Sequence, residues 1–116
     1  MSESMSPNVR QRLLDYQNLQ QNMLILQENK TRAQIELEQI KQALNELEKL
    51  KENELVFKRV GVLLVQSDKE KLKEELSERM KILEQYVTRI DVQLKNIEKK
   101  MKKIEEELKA TQATAG

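Results

Sequence analysis

The chain has 116 residues, of which 35% are charged and only 3% aromatic, with a net charge of +1. That mixture supplies too little apolar volume for a round core and suits long exposed helices. It has no Cys and no His, which excludes a thiolate nucleophile, an imidazole base, a Cys/His zinc site and any disulfide. Disorder is the competing account of so much charge, but the net charge is small and the apolar residues are periodic, so an ordered chain is expected over residues 8–110. Met1 to Asn8 lacks the apolar centre of a signal peptide. No apolar run is longer than that of Val62 to Val65, which is far short of the ~20 residues that cross a bilayer. A soluble, cytoplasmic protein with no membrane partner is the expectation.

The first predicted element is a helix over about 7–52. Ser6 can cap it and Pro7 suits its first position, where the missing N–H is unpaired anyway. Lys49 and Lys51 are expected in its last turn, with Asn53 as the stop. Its seam falls at Val9, Arg12, Tyr16, Leu19, Met23, Leu26, Lys30, Ala33, Leu37, Ile40, Leu44 and Leu47, in strict 3,4 alternation, and ten of these twelve are apolar. A 3.5-residue period held over more than three heptads predicts a coiled coil.

Next comes the apolar cassette from Leu55 to Val65, β-branched and aromatic with one glycine at its centre. It predicts two strands, about 55–60 and 62–66, joined as a hairpin. Val60-Gly61 is not a favoured turn pair, which leaves the turn type open. The second strand is apolar at four successive positions, so both of its faces need cover. A lone two-stranded hairpin is marginal. Phe57, Val60, Gly61, Val62, Leu63, Leu64 and Val65 are therefore expected to join other chains in a shared sheet or barrel.

The second helix is predicted over about 68–111, opened by a capping box in Ser67-Asp68-Lys69-Glu70, with a frayed tail at 112–116. Its seam falls at Leu76, Met80, Leu83, Val87, Ile90, Leu94, Ile97, Met101, Ile104, Leu108 and Thr111, ten of eleven apolar. Each arm measures roughly 65 Å at ~1.5 Å per residue. The short connection lets them pair antiparallel, with layers such as Leu47/Leu76, Leu44/Met80, Ile40/Leu83, Leu37/Val87, Leu26/Ile97, Leu19/Ile104 and Tyr16/Leu108. The midpoint of that pairing falls between residues 61 and 62, beside the internal glycine, which favours a hairpin over a parallel dimer. The fold class is thus mainly α: one unit, a long antiparallel coiled-coil hairpin carrying a short central β-hairpin.

Each candidate site has a plain structural reading beside a sharper one. Arg12 and Lys30 on the seam can lay their stems along it and reach water, or Lys30 can set register. Leu13, Leu14, Leu24, Ile25 and Ile35 lie off the seam. With Val9 and Tyr16 on the first arm, and Ile104 and Leu108 opposite, the first of these make a wide apolar face near the free ends. That face is either broader packing or a surface that grips apolar polypeptide. Lys99, Lys100, Lys102 and Lys103, followed by Glu105 to Glu107, read as a solvated face. The basic stripe is short and lacks aromatic stacking residues, so no nucleic-acid partner is expected. No concave pocket for a carboxylate pair forms between two helices, and there is no glycine-rich phosphate loop. No catalysis and no cofactor are expected.

The segment Phe57-Lys58-Arg59-Val60-Gly61-Val62-Leu63-Leu64-Val65, followed by Ser67-Asp68-Lys69-Glu70, resembles the central motif of β-type prefoldin subunits: an aromatic, a Lys, a Val-Gly pair and a short aliphatic run between two coiled-coil arms. The resemblance spans about residues 8–112. Phe57 stands where Tyr is commoner in that family, and so lacks a hydroxyl. The centre has room for one hairpin, whereas an α-type subunit carries two. The resemblance implies an ATP-independent holdase in which two α-type and four β-type subunits, other copies of this chain among them, join hairpins in a β-barrel body. It implies that the arm tips, here Val9, Leu13, Leu14, Tyr16, Ile104 and Leu108, hold unfolded client proteins and pass them to a group II chaperonin. The alternatives are an RNA-binding helical hairpin like the arm of seryl-tRNA synthetase, which would not need the apolar cassette and should be more basic, and a plain scaffolding coiled coil.

Overall fold

A computed structural model of the chain describes residues 6–115. Four elements follow in order: α1 (Pro7–Glu48), β1 (Val56–Val60), β2 (Leu63–Ser67) and α2 (Lys69–Ala115). The fold is mainly α, two long helices joined through a short antiparallel hairpin. The packing falls into two units, each taking a stretch of both helices. One is the chain up to Lys30 with the chain from Arg89 on; the other is Thr31–Thr88.

The helix starts follow from local chemistry. At α1 the Ser6 hydroxyl accepts from the Val9 N–H at 3.2 Å, as the Ser-Pro pair predicts. At α2 the cap is Asp68, whose carboxylate accepts from the Lys71 N–H at 2.8 Å, and not Ser67, which closes β2 opposite Val56. The strand keeps Ser67, so the expected capping box does not form.

The helix ends differ from expectation. α1 stops at Glu48, not near 52, because Leu47 and Leu50 turn into an apolar cluster with Val56 and Leu72. Lys51 to Glu54 then close a turn, with the Glu54 carboxylate accepting from the Lys51 N–H. Lys49 and Lys51 therefore lie beyond the helix. Positive charge at its end comes from α2: the Lys69 ammonium donates to the Leu50 carbonyl at 2.9 Å. At the other end α2 continues through 112–115, the stretch expected to fray; Gly116 lies outside the described residues.

Within Thr31–Thr88 the seam is packed as its heptads require. Ala33, Ile40 and Leu83 are buried together, with Leu37, Leu44, Leu76, Met80 and Val87 around them. Arg79 holds Glu36 through two bonds of 2.6 and 3.1 Å, and Lys73 pairs with Glu48. Rising numbers on α1 meet falling numbers on α2, so the pair is antiparallel. In the other unit Ile90, Met101 and Ile104 are buried. Here the two seam cations reach across to the facing helix, Arg12 to Glu107 and Lys30 to Asp91, each at 2.6 Å. No described side chain with a charge or polar head is buried, so apolar packing along the seam stabilises the fold.

The hairpin ladder is symmetric about the point between Gly61 and Val62, the midpoint expected for the helices. The turn pair is thus Gly61-Val62, not Val60-Gly61. Gly61 has φ +60°, and among the described residues no other has positive φ. This is the type II′ pattern, which places Gly first and matches the twist of the strands. A side chain at 61 would meet open space, so the backbone angle alone demands glycine there.

Candidate functional site

The cassette presents two faces. Cross-strand partners share a face, which puts Val56, Lys58, Val60, Leu63, Val65 and Ser67 on one and Phe57, Arg59, Leu64 and Gln66 on the other. The first is anchored to the helices at its base. Val56 is buried against Leu47 and Leu72, and the Lys58 ammonium meets the Glu75 carboxylate at 2.8 Å. Beyond that anchor both faces stand largely open among the described residues. Val62 is 96% exposed and Leu64 71%; Phe57, Val60, Leu63 and Val65 are also exposed. The Arg59 side chain donates to the Gly61 carbonyl at 3.2 Å and braces the turn. Leu55, not among the expected assembly residues, is 68% exposed just before β1. So many open aliphatic groups on one hairpin leave apolar area that burial would stabilise, each by ~1.5–3 kcal/mol if fully covered.

The residues expected to form an apolar face at the free ends separate. Leu14 is 49% exposed. Val9, Leu13, Tyr16 and Leu108 are half-buried, and the Tyr16 hydroxyl donates to the Glu105 carboxylate at 2.6 Å. That bond holds its proton and pushes the phenol above its ordinary value. Ile104 is only 7% exposed, because its seam position turns it inward, so it belongs to the packing and not to an open surface. The off-seam Leu24, Ile25 and Ile35 stand open. So do Ile82 and Val92 on α2, which the same off-seam test applied to the second heptad run would have found.

In the unit formed by the two helix ends, grooves run where the helices meet. One is lined by Arg12, Asp15, Asn18, Leu19, Lys100, Lys103, Ile104 and Glu107. Another is lined by Asn22, Ile25, Leu26, Gln93, Asn96, Ile97 and Lys100. Leu19 and Ile104 both line the first, and Leu26 and Ile97 both line the second, in keeping with the expected layers. Among the described residues no group of His, Cys, Asp and Glu is placed to hold a metal ion. No helix is long and apolar enough to cross a membrane.

Comparison with known proteins places this geometry. The family model described as prefoldin subunit matches residues 10–115. The chain is 34% identical to prefoldin subunit beta of Thermococcus onnurineus over 95 residues, 82% of either chain. It is 36% identical to prefoldin subunit beta of Saccharolobus islandicus over 84 residues, 72% of this chain and 67% of that one. The crystal structure of the prefoldin beta subunit from Thermococcus strain KS-1 superposes with a TM-score of 0.83 at 30% identity, covering 91% of this chain and 93% of that one.

Proposed function

Because the chain belongs to the prefoldin subunit family, whose members are chaperone subunits, we propose that it acts as a β-type subunit of an ATP-independent holdase. The observation that carries this reading is the uncovered hairpin. Its apolar residues stand open on both faces, and among the described residues its edges have no further strand. Such a hairpin needs neighbours, and hairpins of other subunits supply them in a β-barrel body. We assign assembly to Phe57, Val60, Gly61, Val62, Leu63, Leu64 and Val65. The complex takes two α-type and four β-type chains.

The helix ends hold the client. Leu14 is exposed, and Val9, Leu13, Tyr16 and Leu108 are half-open around it; Ile104 is withdrawn from this set. Several arms gripping one unfolded chain convert weak contacts into avidity, and no ATP site is required. Release to a group II chaperonin in the cytoplasm completes the cycle. No step is enzymatic.

Light scattering of the chain mixed with an α-type prefoldin subunit tests assembly, and suppression of aggregation of a denatured client without nucleotide tests holding. The expected results are a hexamer and protection. A monomer that protects nothing overturns the proposal.

A further inference from the structure

The two grooves described above adjoin at Lys100, which lines both, and together they make an extended channel along the helices. Its charge is unbalanced. From Tyr16 to Gln27, α1 carries no charged side chain, whereas Lys95 to Lys103 on α2 holds five lysines and one glutamate. Among the described residues none of those five lysines has an ion pair or hydrogen bond at its ammonium group. Of the two anions in the lining, Glu107 is paired with Arg12, and Asp15 accepts from the neutral Gln11 amide and keeps its charge. With Lys100 and Lys103 unpaired the balance of the lining is still cationic, with apolar seam atoms and side-chain amides beside it.

We propose that this channel binds an extended polypeptide segment that carries Asp or Glu among apolar residues: Lys100 and Lys103 pair with its carboxylates, Asn18, Asn22 and Asn96 bond its backbone, and Ile25 takes an apolar side chain. The proposal rests on the holdase reading and adds a preference among clients. An unfolded chain has unpaired backbone donors and acceptors, and a carboxamide offers both. The spacing fits: Asn18 and Asn22, like Asn96 and Lys100, are four residues apart, about 6 Å of helix rise. Alternate residues of an extended chain repeat at about 6.7 Å. Charge complementarity selects acidic over basic segments. Single-stranded RNA fits less well, because no aromatic side chain lines the channel to stack a base.

The test uses the full chain in its assembled form and three labelled, unstructured peptides in which Leu and Gly are interspersed with Asp, Ser or Lys, together with an oligouridylate. Fluorescence anisotropy should show the Asp peptide binding about fivefold tighter than the Ser peptide, as two exposed ion pairs allow. The Lys peptide should be weakest, and the gap should shrink at high salt. In the double variant Lys100→Glu with Lys103→Glu the order should reverse; both positions are exposed, so helicity should not change. The variant Leu14→Ser should keep the acidic preference. Equal binding of the three peptides, no measurable binding of any, an order unchanged in the double variant, or tighter binding of the oligouridylate would each overturn the proposal. Protection of a denatured client without acidic preference sinks this inference alone, whereas failure to protect any client sinks the holdase reading.

Discussion

Leu64 and Ile90 have similar side chains and opposite roles. Leu64 is 71% exposed and Ile90 is 2% exposed. Changing Leu64 to Asp should leave arm helicity almost unchanged and abolish assembly, because a carboxylate would be buried against a neighbouring hairpin; a variant that still elutes as a hexamer places Leu64 outside the interface. Changing Ile90 to Ala should cost about 2–5 kcal/mol in chemical denaturation, through lost burial and the cavity left behind. A loss below about 1 kcal/mol would mean that the seam collapses around the deletion. Gly61 sets the turn by its φ of +60°. Gly61→Ala should destabilise the hairpin by about 1–2 kcal/mol, seen as faster amide exchange in β1 and β2. Gly61→Asn should do less harm, since Asn visits that region more readily.

At the scale of elements, cross-helix ion pairs make stability depend on pH. The hydrogen bond from Arg79 holds Glu36 below the ordinary carboxylate range, and the bond from Lys73 does the same for Glu48. The folded chain therefore binds fewer protons than the unfolded one in acid, so the stability present above about pH 4.5 is lost as pH falls through these lowered values. Tyr16 is raised by its bond to Glu105 and Lys73 by its bond to Glu48. Their contribution is complete below about pH 10 and is lost as pH rises through the raised values. Because the groups face solvent, both effects should be small and weaken in salt. Denaturation midpoints should be flat between about pH 6 and 9 and fall on either side, with the acid loss shallower in Glu36→Gln. An acid limb identical in that variant would show that the Arg79 pair contributes nothing.

At the scale of the whole chain, helix content by circular dichroism should exceed roughly 70%, against the ~30–35% of ordinary domains. The proposed division of labour predicts separable defects. Leu13→Ser with Leu14→Ser should lower protection of denatured clients while leaving hexamer size and helicity nearly as they were. Deleting residues 1–14 and 106–116 should lower it further. If both variants protect as well as the unaltered chain, the grip lies elsewhere along the arms, and the lysine-lined channel is the next place to look.

The heptads, with the short connection between them, determined the two helices, their antiparallel sense and the layers they form. A 3.5-residue apolar repeat must bury its seam against another helix, and the midpoint beside Gly61 selects the layer that buries Ile40 with Leu83. The symmetry point beside Gly61 was legible because the helix layers share it, and the openness of the cassette because apolar residues at the successive positions Val62 to Val65 put apolar side chains on both faces of one hairpin. Three things depended on the tertiary structure. Which residue caps α2 was decided by β2, which takes Ser67 into its ladder and leaves Asp68 to the helix. Where α1 stops was decided by Leu47 and Leu50 packing on Val56 and Leu72, contacts between residues distant in sequence that override local charge signals. Which apolar residues near the free ends stay open was decided by the facing helix, which half-buries Leu13 and buries Ile104 while leaving Leu14 in solvent. Spacing names the face a side chain occupies, but only the partner surface sets how much of that face remains in water.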